Sequence, residues 1–289
     1  MSHPHTNLGL CYSANQLYYA VNDPSTSGRL AHIGSVDFNF NVSRAIVTRD
    51  TRLFAGIQKV ISNIQDEYNP AHVRILSPPL FECWTTFPKL VYDKADEREA
   101  HLGILMKGID RKDIEPIWYS ISNQDYKFLV VRNQQVMQGF EKLTSSIGSA
   151  EYVSDFELGQ RWISHADVRG SFLTISCYDH LICVASFLLG KLRAATYIKF
   201  EDIEDLPYLW LQNAHYLSWM KGLHEQIYVY GLHAGSVIDL LGPYWDQDAE
   251  INKMDALDNI QVEADDATYG FNLEHALPAI LLALELSGD

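Results

Sequence analysis

Two thiols and an imidazole fall within seven residues at Cys177, His180 and Cys183, a donor set suited to a soft metal ion. The surrounding pattern argues for another use. Ser171 to Tyr178 and Leu181 to Leu188 are apolar runs around Asp179-His180, which reads as a hairpin turn. That hairpin puts Ser176, and not Cys177, opposite Cys183, so the thiols read as core side chains. Cys11 lies in a similar run, and none of the four cysteines, Cys83 included, forms a Cys-x-x-Cys pair. They read as reduced thiols in a reducing compartment. A second candidate is the run from Asp246 to Asp266, eight carboxylates against Lys253. Ile251 stands where a calcium loop needs glycine, and Leu257 where it needs the closing glutamate. The run reads as a solvated acidic face, with docking of a basic partner as the other use. His3 and His5 belong to a tail that binds metal only adventitiously, so no metal site is expected. There is no P-loop, dinucleotide fingerprint, His-Glu-x-x-His or Gly-x-Ser-x-Gly elbow. No catalytic residue is assigned.

The elements that carry these residues are legible from period and punctuation. Leu8 to Ser13 and Gln16 to Val21 read as strands around Ala14-Asn15, and a third strand runs from Arg29 to Phe40. Helical spacing follows from Asp50 to Tyr68, with Leu53, Ile57, Val60, Ile61 and Ile64 on one face. Asp50 can cap its start, and Asn69-Pro70 ends it. Val73 to Leu76 is a short buried strand stopped by Pro78-Pro79. Glu97 to Met106 reads as helix, Ile117 to Ile121 and Tyr126 to Arg132 as strands, and Gln134 to Ile147 as a helix stopped by Gly148. A strand from Lys191 to Phe200, a helix from Ile203 to Gly222, a strand from Gln226 to Tyr230 and a helix from Ala234 to Leu241 follow. Asn272 to Leu286 closes the chain as a helix. Tyr208, Trp210, Tyr216 and Trp219 exceed what one buried helix face holds, which points to a protein contact beside core packing.

The chain has 289 residues, 47% hydrophobic and 20% charged, which suits one large or two ordinary domains and excludes a disordered chain. A formal net charge of -15 disfavours nucleic acid and anionic lipid, unless a local basic patch intervenes. The first residues lack the basic and apolar parts of a signal peptide, and the apolar stretch from Ala276 to Leu286 is too short to span a bilayer. The expectation is a soluble cytoplasmic protein without direct membrane insertion.

The opening pattern returns. Cys11-Tyr12 precedes the first hairpin turn and Cys177-Tyr178 the second. The offset from Gly28 to Gly190, 162 residues, recurs from Phe38 to Phe200. Each copy runs strand, strand, strand, helix, strand, a repeat too long for a solenoid. The expected architecture is α/β, two duplicated domains with mixed sheets flanked by helices, divided as 1–166 and 167–289.

Two such copies resemble the actin, sugar-kinase and Hsp70 superfamily, whose halves have ribonuclease-H-like folds. The closer resemblance is to the branch containing the type IV pilus assembly protein PilM, and to a related bacterial family of unknown function. Leu8 to Val21, Phe128 to Arg132 with its helix, Leu173 to Trp210 and Pro278 to Leu284 carry it, by pattern rather than identity. The resemblance implies an actin-like ATPase fold and, from its pilus branch, a cytoplasmic protein-protein adaptor or scaffold for a membrane-associated assembly complex.

Active members of the superfamily hold ATP with magnesium between the lobes, on two hairpins carrying Asp, Gly and Ser/Thr. Here the hairpins read Cys11-Tyr12-Ser13-Ala14-Asn15-Gln16 and Ser176-Cys177-Tyr178-Asp179-His180. Neither has the glycine that lets backbone approach phosphate, and Ser176 stands at the Asp position. The adenosine-side pair is reduced to Gly231 and Gly235. The expectation is therefore a non-catalytic protein without cofactor. The alternative is an ATPase-like switch with divergent loops, in which Ser13, Asn15, Ser176, Asp179, Gly231 and Gly235 would face ATP and Mg. A metabolite site in the cleft is a third reading.

Overall fold

The computed structural model describes residues 5–48, 50–77, 79–145, 150–165, 168, 170–222, 224–255, 257, 262–264, 271, 273 and 275–284. His3, the helix stop at Gly148 and much of the acidic run beyond Asp255 lie outside them.

The apolar runs form β1 (Asn7–Ser13) and β2 (Gln16–Asn22), an antiparallel pair buried on both faces and joined through Ala14 at φ 46°. The meander continues into β3 (Arg29–Asp37). This strand stops three residues short of the expected Phe40. The Phe38 N–H turns away to the Asn15 carbonyl at 2.7 Å. Asn41 Oδ1 then accepts from the Arg44 N–H at 2.8 Å and opens a helix the sequence reading lacked, α1 (Val42–Thr48). Asp50 caps α2 (Thr51–Tyr68) by accepting from Arg52 and Leu53, and Asn69 ends it in the left-handed region at φ 47°. The crossover sets β4 (His72–Ser77) parallel to β1, Leu8 beside Val73.

The stretch that sequence periodicity read only in part is an insertion with its own sheet. It holds β5 (Glu82–Pro88), α3 (Lys89–Tyr92), α4 (Ala95–Leu105), β6 (Ile114–Ser120) and β7 (Tyr126–Asn133), in the antiparallel order β5-β7-β6. Asn133 caps α5 (Gln134–Leu143), and β8 (Ala150–Ser154) adds beside β4 in parallel. Then α6 (Leu158–His165) leads to the second half.

There β9 (Ser171–Tyr178), β10 (Leu181–Leu188) and β11 (Lys191–Lys199) repeat the meander. The expected helix over 203–222 resolves into a 3-10 turn, α7 (Leu206–Tyr216) and a second 3-10 turn at Ser218–Lys221. After it come β12 (Gln226–Gly231), α8 (Ala234–Leu241), β13 (Glu250–Lys253) and β14 (Glu263–Ala264). The described part of the closing helix is α9 (Leu277–Ala283).

The sheets run β14-β3-β2-β1-β4-β8 and β11-β10-β9-β12-β13, so one five-strand order occurs twice. This is the duplicated α/β class the sequence implied, with helices on the sheet faces. Two elements cross the expected division at 166/167. β14 pairs with β3, Glu263 beside Arg29, and α9 packs on β1, β2 and β4 of the first sheet. Gly9 permits that approach: a Cβ there would lie 2.0 Å from the Ala279 carbonyl oxygen. Arg161 and Arg74 donate to the carbonyls of Leu281, Leu282 and Leu284 and satisfy the helix end. One apolar core lies between the sheets and joins Cys11, Ala20 and Ile280 to Phe172, Phe187 and Tyr230. Separate cores back each sheet under α2 and α5, and under α7 and α8, and a fourth fills the insertion.

Candidate functional site

The two hairpins face each other across a cleft of about 940 Å³. Tyr12, Ser13 and Ala14 come from the β1–β2 turn, and Tyr178, Asp179 and His180 from the β9–β10 turn. The turns are built alike. The Asn15 carbonyl accepts from Phe38, and the His180 carbonyl accepts from Phe200 at 3.0 Å. The Ala14 carbonyl also accepts from Val42 at 2.8 Å, which ties α1 to the first tip. Apolar side chains, among them Leu80, Phe81, Phe200 and Leu209, line much of the remaining wall. Its charged residues are Arg44 and Lys199 against Asp179, Glu201 and Asp205.

Of the residues singled out from the sequence, Ser13 and Asp179 meet in this cleft. Asn15 does not line it; its amide donates to the Phe38 carbonyl at 3.2 Å. Ser176 and Gly231 lie deeper, on a void of about 20 Å³ behind the hairpins, which holds one water at most. Gly231 is at φ 94°, and a Cβ there would sit 2.4 Å from the Cys177 carbonyl oxygen. Close backbone packing on β9 therefore explains that glycine. A Cβ on Gly235 would meet nothing, and Gly235 lines neither space. Among the described residues, no group of His, Cys, Asp and Glu is placed to hold a metal. Cys183 lies opposite Ser176, and burial raises the thiols of Cys177, Cys183 and Cys11, the last to about 12. Cys83 is exposed.

The centre of the lobe junction is a residue that sequence reasoning passed over. Asp155 follows β8 and is buried. It accepts from Ser176 Oγ at 2.6 Å and from the Tyr178 hydroxyl at 2.5 Å, both on β9. Burial raises its pKa, and the hydrogen bonds from Ser176, Tyr178 and Cys183 oppose the rise. This clasp occupies the hydroxyl expected on the phosphate side and draws Tyr178 into the junction. A second network flanks it. Arg132 Nε donates to Glu82 Oε1 at 2.9 Å, and Arg132 Nη2 donates to Ser154 Oγ at 2.9 Å. Ser154 Oγ donates to the same Glu82 oxygen, and Trp84 Nε1 to its other at 2.7 Å. The insertion is also bolted to the second half: Tyr197 donates to the Glu82 carbonyl at 3.2 Å, and the Ser122 N–H to the Leu192 carbonyl at 2.7 Å. A signal for this corner existed in Ser154-Asp155-Phe156-Glu157, the spacing of a capping box. In the fold Ser154 N–H donates to Glu157 at 2.7 Å.

No protein-family model matches the chain, and a sequence search among curated proteins gives no match. Solved structures do match in shape. A chain of the PilM-PilN type IV pilus biogenesis complex superposes with a TM-score of 0.62 at 11% identity, covering 96% of this chain and 97% of that one. The cytoplasmic domain of EpsL, an inner membrane component of the type II secretion system of Vibrio cholerae, gives 0.54 at 11% identity over 89% and 92%. A Bacteroides thetaiotaomicron protein of unknown function with an actin-like ATPase fold gives 0.53 at 12% identity over 96% of each chain.

Proposed function

We propose that this chain, which has the actin-like ATPase fold, is a non-catalytic scaffold that holds other proteins at a membrane-associated assembly from the cytoplasmic side. The observation that carries this reading is the Asp155 clasp. Ser176, the residue at the metal-carboxylate position of the second hairpin, is buried and hydrogen-bonded across the junction. The donor set does not fit a metal-bound triphosphate. Neither hairpin tip has a glycine, and the cleft wall carries three carboxylates against two cations. A triphosphate would bring further negative charge to that wall without a phosphate cradle to offset it. No helix among the described residues is long and apolar enough to cross a membrane. The pilus and secretion proteins of similar shape lend the partner class, and only that.

Thermal melting with and without millimolar Mg-ATP tests the reading. A bound nucleotide at 100 times its Kd would add about 2.7 kcal/mol and raise Tm by several degrees. No shift is expected with Mg-ATP, Mg-ADP or Mg-GTP. A saturable shift would overturn the reading in favour of a nucleotide-dependent switch, which the size of the cleft and Asp179 on its wall would then serve.

A further inference from the structure

The other end of β10 departs from ordinary surface chemistry. Its turn to β11 is Leu189-Gly190, with both residues left-handed at φ 49° and 76°. Such a turn favours Asn-Gly. Here a leucine occupies the strained first position and is 78% exposed, beside Leu188 at 41%. The Leu189 N–H donates to the Gly170 carbonyl at 2.9 Å, which fixes the tip. Lys191 and Arg193 are exposed on the strand that follows, and neither makes an ion pair among the described residues. Arg193 reaches the turn that holds Trp219 and Gly222. Glu225, whose carboxyl sits beside Gly170, subtracts from this positive charge. In a chain with a net charge of -15, an apolar knob flanked by Lys191 and Arg193 is a local reversal.

The inter-lobe cleft has the opposite balance of charge, with three carboxylates against Arg44 and Lys199. It has an apolar wall that includes Leu80, 56% exposed, and it bears Asp179, Glu201 and Asp205. None of these carboxylates makes an ion pair among the described residues. A volume of about 940 Å³ admits two leucine side chains with their turn. Knob and cleft lie at opposite ends of β10, roughly 27 Å apart along eight residues. They cannot meet within one chain.

We propose that the Leu188-Leu189 turn of one copy enters the inter-lobe cleft of a second copy, with Lys191 and Arg193 against Asp179 and Glu201. The contact joins two different surfaces and is therefore heterologous, so it propagates head to tail unless rotation closes a ring. The inference goes beyond the scaffold reading but rests on its one premise, that the cleft is free of nucleotide.

Sedimentation velocity of the full chain from 1 to 200 μM, in low salt without nucleotide, tests it. The weight-average mass should rise past the dimer with concentration and fall as salt screens the pairs. Leu189→Asp should weaken association at least tenfold, as should Lys191→Glu with Arg193→Glu. Asp179→Lys with Glu201→Lys should do the same from the cleft side. Mixing the two charge-reversed proteins should restore it, because each then offers the other a matched surface. Circular dichroism melts establish that every variant is folded. A chain that stays monomeric at 200 μM, or variants that leave association unchanged, would overturn the inference, as would a mixture that stays dissociated. Those results leave the scaffold reading standing. That reading fails on the separate Mg-ATP melting shift.

Discussion

Ser176 Oγ donates to Asp155 Oδ1 at 2.6 Å across the junction of the two lobes, from the position where the resemblance placed a metal carboxylate. Tyr178 donates to the other oxygen of the same carboxyl. One buried acceptor therefore holds the second hairpin against the end of β8. Asp155→Ala takes the acceptor from a buried and a half-buried hydroxyl, each worth about 1–3 kcal/mol. Loss of about 2–3 kcal/mol is expected after allowing for relief of the buried carboxyl, measured as a lower urea midpoint at unchanged slope. Asp155→Asn keeps an acceptor and should lose about half as much. Equal losses in the two variants would mean that the hydroxyls are satisfied some other way.

The buried ion pair between β5 and β7 gives a sharper contrast. The side chains of Glu82 and Arg132 are 0% and 7% exposed, 2.9 Å apart. Arg132→Met strands a buried carboxylate, and about 3–5 kcal/mol should be lost. Adding Glu82→Leu removes the stranded charge and should recover a large part of that loss, because a packed apolar pair is often as stable as the ion pair it replaces. Recovery will be incomplete, since Glu82 also accepts from Trp84 and Ser154. A double variant no better than the single one would show that the network holds the insertion by geometry rather than by charge.

Local periodicity revealed the meanders, because β1 to β3 and β9 to β11 each alternate or run apolar between clear turns. The paired offset of Gly28 with Gly190 and of Phe38 with Phe200 revealed the duplication for the same reason. What stayed hidden depends on contacts distant in sequence. β5 (Glu82–Pro88) has Cys83-Trp84-Thr85-Thr86 half in and half out of a small sheet, too short and mixed for a period to emerge. β13 lies inside an acidic run that reads as solvent-facing, and only its pairing with β12 makes it a strand. The clasp was invisible because Asp155 and Ser176 are 21 residues apart, one just past β8 of the first sheet and the other on β9 of the second. Tyr208 and Tyr216 are exposed while Trp210 is buried, so the excess of aromatics on α7 reflects both faces of the helix.

Gly9 tests whether α9 is integral to the first sheet. A Cβ at Gly9 would lie 2.0 Å from the Ala279 oxygen and 2.6 Å from the Ala283 nitrogen, both backbone atoms that cannot rotate away. Gly9→Ala must push the helix off β1, and α9 is buried along its whole length. A loss of about 3 kcal/mol or more is expected, well above that of an ordinary strand Gly→Ala change. Gly56→Ala, where a Cβ meets nothing, is the control and should stabilise slightly, because alanine favours the interior of α2. Similar melting temperatures for the two variants would mean that α9 is not held against β1 as described.

A half-buried carboxyl and a buried imidazole should pull the acid dependence of stability in opposite directions. Burial raises Glu157 to about 7, with the Ser154 N–H and Arg132 opposing the rise. A carboxyl whose folded pKa is raised destabilises the fold when ionised. The penalty is full above the folded value and shrinks as pH falls towards the unfolded value near 4.3. His224 is lowered to about 4, by burial and then by Arg193, and it bonds Ser186 Oγ at 3.1 Å. A histidine with a lowered folded pKa is neutral in the fold. Stability is therefore lost as pH falls below the unfolded value near 6.5 and continues to fall towards 4. Between pH 8 and 5.5 the Glu157 linkage is worth about 2 kcal/mol and the His224 linkage about 1.4 kcal/mol in the opposite direction, so they largely cancel. Glu157→Gln removes the first and leaves the second. The variant should lose about 1.4 kcal/mol on going from pH 8 to 5.5 in urea titrations, while the parent changes by less than about 1 kcal/mol and in the opposite direction. A variant whose stability is as flat as the parent's over that range would show that Glu157 does not titrate near 7 in the fold.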